Sequence, residues 1–266
     1  MGDSTRLKVS IVMPVYNQEK YVSKAIESIL TQTFEDFEFL IIDDGSSDGT
    51  LEILRGYKDP RMRIVVNKAN IGLTKSLNKG LGVALGKYIA RQDGDDISLP
   101  KRLEKQFRFL EKHREYGLVG CCCHKIDSAG NVTGSIMVPT RHHDIAQALV
   151  KTNQFVHSSV MFRKECIEKL GPYDETLIYS QDYELWLRIS SFYKVANLKE
   201  VLHCWRYSET GISRVRFEEQ EEYARLIRAR FLQKREEGAS STGEREYKLG
   251  DIVWGFRKKL GQIVNR

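Results

Sequence analysis

The first third of the chain alternates short apolar runs with amphipathic segments. Residues 9–13 form a β-branched apolar run, which predicts a buried strand that stops before Pro14, because proline has no N–H to donate to a sheet. Residues 19–33 then carry apolar side chains at helical spacing. These side chains are Val22, Ile26, Ile29 and Leu30. The pattern predicts a strand, a loop and a helix.

The same alternation repeats twice more and ends with a fourth strand. Further strands are predicted at 37–44, 62–68 and 87–90, and helices are predicted around Leu51 and over 71–85. Ser47 or Asp48 is placed to cap the helix around Leu51. Strands that alternate with helices in this way form a parallel sheet with helices on both faces. The fold class predicted for this half is therefore α/β.

The pattern changes after residue 98. We predict a helix over 98–113 with Ser98 as its cap, a strand over 117–126, and a hairpin return through 128–131. Short helical patterns follow, which suits an α+β half laid against the first sheet. They cover 142–151, 164–170 and 180–192. A charged helix begins near residue 216, followed by a linker at 238–244 and a last amphipathic segment.

These patterns divide the chain into one main domain and an extension. Residues 1–215 form the predicted domain, with 8–98 as its first half and 99–215 as its second, and 216–266 form a helical C-terminal extension. At 266 residues, with 41% hydrophobic and 29% charged residues, the composition is that of a globular protein with a full core.

Charge and cysteines narrow the class of protein. The net charge of +6 is concentrated near the C-terminus and forms no dense basic stripe, so we predict no nucleic-acid partner. Residues 121–123 are adjacent cysteines on a predicted strand, where neighbours point to opposite faces, which favours free thiols and a reducing compartment. No apolar run reaches the roughly 18 residues of a membrane span, so we expect a cytoplasmic location.

Acidic residues gather where the fourth predicted strand ends. Asp93, Asp95 and Asp96 lie within four positions directly after 87–90. Ligands of open parallel sheets bind outside the carboxyl ends of the strands. Neighbouring carboxylates repel unless a cation neutralises them, and hard oxygen ligands select Mg²⁺ or Mn²⁺. The cluster predicts a site for a metal-bound diphosphate, with a turn that caps the next helix as the alternative.

Three blocks of sequence together resemble the family 2 glycosyltransferases of GT-A fold. They begin "VSIVMPVYN", "NIGLTKSLNKG" and "ARQDGDD", and the resemblance covers roughly residues 8–210 in the family's order. It implies a metal-dependent, inverting transfer of a sugar from a nucleotide-sugar donor, most simply a UDP-sugar, to a saccharide or glycolipid hydroxyl. The alternatives are a nucleotidyltransferase, whose Gly-rich phosphate loop is absent from "PVYNQEKY", and a nucleotide-sugar-binding protein without activity.

The resemblance implies a donor site built by the first four strands. Pro14, Val15 and Tyr16 would flank the base, and Tyr16 would stack on it, with packing on the first helix as the alternative for this tyrosine. Asp44 would bind uracil or ribose, and Lys68 would reach phosphate. The other residues that match these blocks are Glu19, Asp43, Ser46, Asn70 and Gly72.

The acidic block matches the DxD signature of the family. Asp95 is the implied metal ligand, Asp93 lies nearer the ribose and shares the metal, and Gly94 separates them in the donor site. Asp96 ranks below both, because it could instead cap the following helix. The implied cofactor is Mn²⁺ or Mg²⁺.

The catalytic base is implied by a late acidic dipeptide, in which Gln181 replaces the usual Glu. Asp182 becomes the candidate base, with a helix cap as its alternative role and Glu184 as the fallback. Ser180 can cap that helix and leave Asp182 free.

Other matches lie on the acceptor side. They are His157, Ser158, Trp205 and Arg206. The alternative for His157 is a structural histidine, and for Arg206 a solvated strand edge. Ser208 stands where the family usually has a histidine, and His203 would replace it only after a register shift.

The last segment is basic and amphipathic. Residues 244–266 predict either a peripheral membrane contact, at the inner face of the cell membrane, or packing on protein. The sequence leaves the oligomeric state, the donor sugar and the acceptor open.

Overall fold

A sheet of nine strands runs through the part of the chain that the computed structural model describes, residues 7–207 and 215–240. The strands are β1 Val9–Val15, β2 Phe37–Asp43, β3 Met62–Val66, β4 Tyr88–Arg91, β5 Ile97–Ser98, β6 Tyr116–Ile126, β7 Val132–Ile136, β8 Met161–Arg163 and β9 Lys194–Arg206. Their order is β3-β2-β1-β4-β8-β6-β9-β5, and β7 pairs with β6.

Helices cover both faces of this sheet. They are α1 Val22–Leu30, α2 Thr50–Gly56, α3 Leu73–Val83, α4 Arg102–Lys112, α5 His142–Leu149, α6 Lys164–Leu170, α7 Gln181–Ser190 and α8 Phe217–Ser240, with a 3-10 helix at His157–Ser159. The helices predicted over residues that the structure describes are present, as is the hairpin from β6 to β7.

Alternating side chains of β1 divide the core into two layers. Val9, Ile11 and Met13 pack with the apolar residues of α1 and with Leu103 of α4. Val12 points the other way, into the cluster that holds the buried side of α3 and most of α7. Because successive strand residues face opposite sides, this alternation requires a helix layer on each face. The predicted α/β architecture with helices on both faces is confirmed.

Strand direction distinguishes the two halves of the sheet. β1, β2, β3 and β4 pair parallel to one another. β8 then joins β4 in the antiparallel direction, and β6 joins β8 in the same way. The carboxyl ends of β1 and β4 therefore lie side by side at the point where the chain changes direction across the sheet, which is where such folds bind ligands.

Pro14 lies inside β1, so the predicted end at Met13 is wrong. The pairing of β1 with β4 ends at Val12, whereas its pairing with β2 continues to Val15, whose carbonyl accepts the N–H of Asp44. Alternate residues of a strand face opposite neighbours. Pro14 therefore faces the β4 side beyond the last pair, where no N–H is needed.

Ser98 does not cap α4, as the sequence predicted. It belongs to the two-residue strand β5 and pairs with His203 of β9. Its hydroxyl donates to the Gln92 side chain at 2.7 Å. Lys101 occupies the cap position of α4 without a side-chain hydrogen bond. A serine before a helical pattern also suits a short buried strand, and the non-local pairing with β9 decides between the two.

The helix α8 packs against α7. Ala224 and Ile227 are buried in the same cluster as Trp186, and the rings of Tyr179 and Tyr223 meet edge to face at 5.7 Å. The helix continues through Ser240, so the predicted linker at 238–244 is wrong in its first three residues. Its remainder and the segment 244–266 lie outside the described residues.

Two further expectations concern the state of the cysteines and the presence of membrane-spanning segments. All five cysteines are buried free thiols. Within the described ranges, none of the helices is at once long enough and apolar enough to cross a lipid bilayer.

Candidate active site

Asp44 fixes the loop that follows β3. Its carboxylate accepts the Asn67 side-chain amide at 2.8 Å and the backbone N–H groups of Ile71 and Gly72, each at 2.9 Å. Gly72 needs its positive φ of 91° to enter α3 from this loop. A carboxylate has about four acceptor positions, and these three donors use three of them on Asp44.

Asp43 lies beside Asp44 but is bonded differently. Its side chain is fully buried, and one oxygen accepts the Ser46 N–H at the long distance of 3.4 Å. The other oxygen, Oδ1, has no hydrogen-bond partner among the described residues. Ser46 in turn accepts the N–H of Asn17 through its hydroxyl at 3.0 Å. The loops after β1 and β2 are thereby joined.

The remaining residues predicted for the donor site differ in exposure. Tyr16 is 45% exposed, so its ring is not part of the buried core. Pro14 and Val15 are buried in β1, and Glu19 accepts the Gly49 N–H at 2.7 Å, at the start of α2. Lys68 and Asn70 are exposed on the loop after β3.

Arg91, the last residue of β4, directly precedes the acidic loop, residues 92–96. The Arg91 side chain is 1% exposed, and its guanidinium pairs with the Asp93 carboxylate at 2.6 Å. Gly94 is buried where an added Cβ would lie 2.8 Å from the Val15 side chain. The glycine therefore lets the loop approach the end of β1, and it brings Asp95 to the same edge of the sheet.

Asp95 and Asp96 differ in the hydrogen bonds that their carboxylates receive. No other described residue donates a hydrogen bond to the Asp95 side chain, and burial, followed by the nearby Asp96 and Asp93 charges, raises its pKa to about 8. Asp96 is 1% exposed and accepts Ser158 Oγ–H and the Arg206 N–H, the latter at 2.7 Å. The prediction that Asp96 could cap the next helix is wrong, because this residue is buried among side chains of the second half.

The acidic loop fits a divalent cation that arrives with a diphosphate. In the described ranges, no three His, Cys, Asp or Glu side chains are grouped closely enough to hold a metal ion by themselves. Mg²⁺ is usually bound by one or two carboxylates together with substrate phosphates and water. Asp95, to which no described residue donates, and Asp93, whose side chain is 33% exposed, form such a partial set.

Asp182 lies in the first turn of α7. Its Oδ2 accepts the Asn153 side-chain amide at 2.7 Å, and burial is the main cause that raises its pKa. Ser180 occupies the cap position, but its hydroxyl donates to the Gln220 carbonyl of α8 at 3.1 Å and does not cap α7. Glu184 pairs with Arg188 at 2.6 Å and is therefore engaged elsewhere.

Of the acceptor-side candidates, one contacts aromatic side chains and two contact the acidic loop. His157 joins an aromatic cluster, where its Nε2 lies 2.9 Å from the Tyr173 hydroxyl and its ring is 6.0 Å from that of Trp186. Ser158 instead bonds to Asp96. Arg206 is 4% exposed and donates to the Asp95 carbonyl at 2.7 Å, so it is not a solvated edge residue.

Trp205 lies apart from these contacts. Its ring is 5.7 Å from that of Tyr207, and it packs beside the small cluster formed by Cys121, Cys123 and Leu202.

Sequence reasoning missed four residues that contact the predicted site. These are Arg91, Arg102, Asn153 and His203. Arg91 directly precedes the acidic block, so its position was a usable signal. His203 was considered only as a substitute for a histidine at position 208, yet its Nε2 lies 3.1 Å from Asp96 without any register shift. Arg102 and Asn153 gave no signal, because their partners lie far away in the sequence.

The comparison with known sequences identifies the family. The profile of Glycosyl transferase family 2 matches residues 10–171. The chain is 40% identical over 213 residues to the uncharacterized glycosyltransferase MJ1057 of Methanocaldococcus jannaschii, which covers 77% of this chain and 73% of that protein. It is 36% identical to the amylovoran biosynthesis glycosyltransferase AmsE of Erwinia amylovora, over 73% of this chain and 74% of that protein. The chain belongs to glycosyltransferase family 2.

Solved structures of glycosyltransferases have a similar fold. TarS residues 1–349 of S. aureus in complex with UDP-GlcNAc has a TM-score of 0.65 at 20% identity, over 77% of this chain and 60% of that one. Mannosyltransferase PcManGT of Pyrobaculum calidifontis in complex with GDP-Man and Mn²⁺ has a TM-score of 0.62 at 20% identity, over 91% of this chain and 66% of that one. The chain spans less than two thirds of either solved chain. The fold is that of the GT-A glycosyltransferases.

Proposed function

We propose that this family 2 glycosyltransferase is metal-dependent and inverting, and that it transfers a sugar from a UDP-sugar to a saccharide or glycolipid hydroxyl. One observation carries the proposal: the buried guanidinium of Arg91 pairs with the acidic loop, and its charge also acts on Asp182. Arg91 pairs with Asp93 at 2.6 Å, and its charge also acts to lower the pKa of Asp182 against the larger effect of burial. A leaving-group site and a base are therefore within electrostatic reach of each other.

The donor is proposed to bind across the ends of β1, β2 and β3. Tyr16 offers an exposed ring for stacking, and Asp44 keeps one acceptor position for the nucleoside. The complex of TarS with UDP-GlcNAc and that of PcManGT with GDP-Man support a nucleotide-sugar donor on this fold. Uracil is the base we propose, because the first of these ligands carries it.

Asp95 and Asp93 are the residues that would hold a divalent cation. Such a cation, when bound, neutralises the charge that develops on a departing nucleoside diphosphate. The Mn²⁺ in the PcManGT complex supports this choice of cofactor. The chain's own part is to present a carboxylate that no other described residue engages, and Arg206 contributes by binding the Asp95 carbonyl at 2.7 Å.

Asp182 is the proposed base. Its raised pKa makes the carboxylate a stronger proton acceptor than an exposed aspartate, and Asn153 fixes its orientation through Oδ2 at 2.7 Å. It would take the proton from the acceptor hydroxyl as that oxygen attacks the sugar carbon from the side opposite the diphosphate. A single displacement of this kind inverts the configuration.

The acceptor is proposed to be a growing saccharide or a lipid-linked one, as in polysaccharide assembly. The name of AmsE, a biosynthesis enzyme for amylovoran, supports this class. The basic segment 244–266 is proposed to contact the membrane surface. Liposome flotation tests this contact, and equal binding with and without residues 244–266 would exclude it.

Thermal shift tests the donor and metal together. The protein is heated with UDP, GDP, CMP and dTDP derivatives, with and without Mn²⁺, because a ligand at about 100 times its Kd stabilises the native state by about 2.7 kcal/mol. We expect stabilisation by a UDP-sugar with Mn²⁺, and none in Asp95→Ala. Donor hydrolysis should require the metal and Asp182. Absence of stabilisation and of hydrolysis with every donor would refute the proposal.

A further inference from the structure

A chain of three fully buried polar side chains lies beneath the acidic loop. Arg102 and His203 have no exposed surface, and Asp96 is 1% exposed. They come from α4, from β9 and from the loop after β4. Water cannot reach them easily, so each hydrogen bond among them must be made within the protein.

The bonds of His203 define which nitrogen carries its proton. Arg102 Nη1 lies 3.2 Å from Nδ1 of His203. A guanidinium has donors only, so Nδ1 must accept, and the neutral ring then carries its hydrogen on Nε2. Nε2 lies 3.1 Å from Asp96 Oδ2 and 3.0 Å from Ser158 Oγ. His203 therefore donates toward Asp96, and Arg102 fixes the tautomer that allows it.

Both oxygens of Asp96 are occupied by donors from the second half of the chain. Oδ2 receives the Ser158 hydroxyl and His203, and Oδ1 receives the backbone N–H of Arg206 at 2.7 Å. Asp96 is thus held by three donors of the protein and is buried. The next residue before it is Asp95, whose own side chain receives no such donor from the described residues.

We propose that His203, oriented by Arg102, is a positioning residue for the metal site and acts through Asp96 to hold the Asp95 carboxylate in place. This inference rests on the proposed function, in which Asp95 binds a divalent cation. Groups that hydrogen-bond to a metal ligand typically affect metal affinity or activity by about 10-fold to 100-fold, and His203, which acts through the residue next to the ligand, belongs at the lower end of this range. The bond from Arg206 Nε to the Asp95 carbonyl, at 2.7 Å, fixes the same peptide from the other side.

Two variants of similar polarity distinguish a role of His203 in positioning Asp96 from a role in packing alone. In His203→Gln, the side-chain amide nitrogen reaches about as far as Nε2 and can still donate to Asp96. In His203→Asn, the amide reaches only about as far as Nδ1, so the donor to Asp96 is lost. The affinity for Mn²⁺ is measured in the presence of UDP from the electron paramagnetic resonance signal of free Mn²⁺, and kcat and KM for donor hydrolysis are measured beside it.

We expect Mn²⁺ affinity to fall by about 10-fold or more in His203→Asn and to stay close to the wild-type value in His203→Gln. Ser158→Ala removes a second donor to Asp96 without a large change in volume, and it should also weaken Mn²⁺ binding. Circular dichroism shows whether each variant is folded. If His203→Asn does not fold, the comparison of Ser158→Ala with the wild-type protein decides the question.

The outcomes separate this inference from the proposed function. Asp95→Ala should abolish Mn²⁺ binding with UDP. If it does, but folded His203→Asn, or Ser158→Ala in its place, binds Mn²⁺ like the wild-type protein, the positioning role is wrong and the proposed function stands. If the wild-type protein with UDP binds no Mn²⁺, both are overturned. Equal losses in His203→Gln and His203→Asn would also contradict the proposal, since only one of them loses the donor.

Discussion

Replacing Asp44 by alanine should destabilise the protein and release the loop after β3. The carboxylate is 3% exposed and accepts three hydrogen bonds, of 2.8, 2.9 and 2.9 Å, from Asn67, Ile71 and Gly72. Hydrogen bonds to charged groups contribute about 1.5–3 kcal/mol each. Ile71 is 41% exposed, so part of the freed backbone can rebind water. The expected loss is about 3–5 kcal/mol, as for a broken buried charge network.

Urea unfolding measures this loss as a lower midpoint at unchanged slope. Asp43→Asn is the control. The Asp43 carboxylate is also buried, but among the described residues it accepts only one long bond, of 3.4 Å, and its Oδ1 has no partner. We expect Asp43→Asn to change stability by less than about 1 kcal/mol. A loss below about 1 kcal/mol for Asp44→Ala would refute the reasoning that Asp44 anchors the loop.

Three further predictions concern α3 and the proposed base. Gly80→Ala should destabilise by about 1–3 kcal/mol because the new Cβ would lie 2.6 Å from Val12, whereas Gly82→Ala, on the same helix with open space around it, should stabilise by up to about 1 kcal/mol; urea midpoints compare them. The folded-state pKa of Asp182 is raised, so its stabilising contribution is complete below about pH 3.9 and is lost as the pH rises through the folded pKa. Asp182→Asn should therefore raise the Tm at neutral pH, lose that advantage in acid and abolish transfer; an unchanged Tm at pH 7 would contradict this. Asn153→Ala removes a bond that lowers this pKa, so the acidic limb of kcat/KM should move to higher pH; an unmoved limb would show that Asp182 is not the titrating base.

The elements of the fold could be predicted because their signals are local. The apolar runs of β1 to β4 and the helical spacing in α1 and α3 depend on neighbours within a few residues. The acidic block followed a strand directly, so its position at the sheet edge was also accessible. The end of β1 was predicted wrongly because of Pro14. The pairing of β1 with β4 ends at Val12, so a proline that faces the β4 side beyond that point loses no hydrogen bond.

The roles of Asp96 and His203 could not be predicted in this way. They are 107 positions apart, and they meet because β5 pairs antiparallel with β9 in a register that sets Ser98 opposite His203. Such a register depends on the whole sheet and leaves no local pattern. The bond between Asn153 and Asp182 is non-local in the same sense, so the residue type gave no indication of its partner.

The contact between α8 and α7 affects how this enzyme can be divided or recombined. Ser180, two residues before the proposed base, donates to the Gln220 carbonyl, while Ala224 and Ile227 complete the cluster around Trp186. A chain that stopped at residue 215 would open that cluster to solvent at the start of the base-bearing helix. In a chimera with a C-terminal region from another protein, that region would have to pack against the surface of α7. We therefore expect that α7 and α8 must be taken from the same protein.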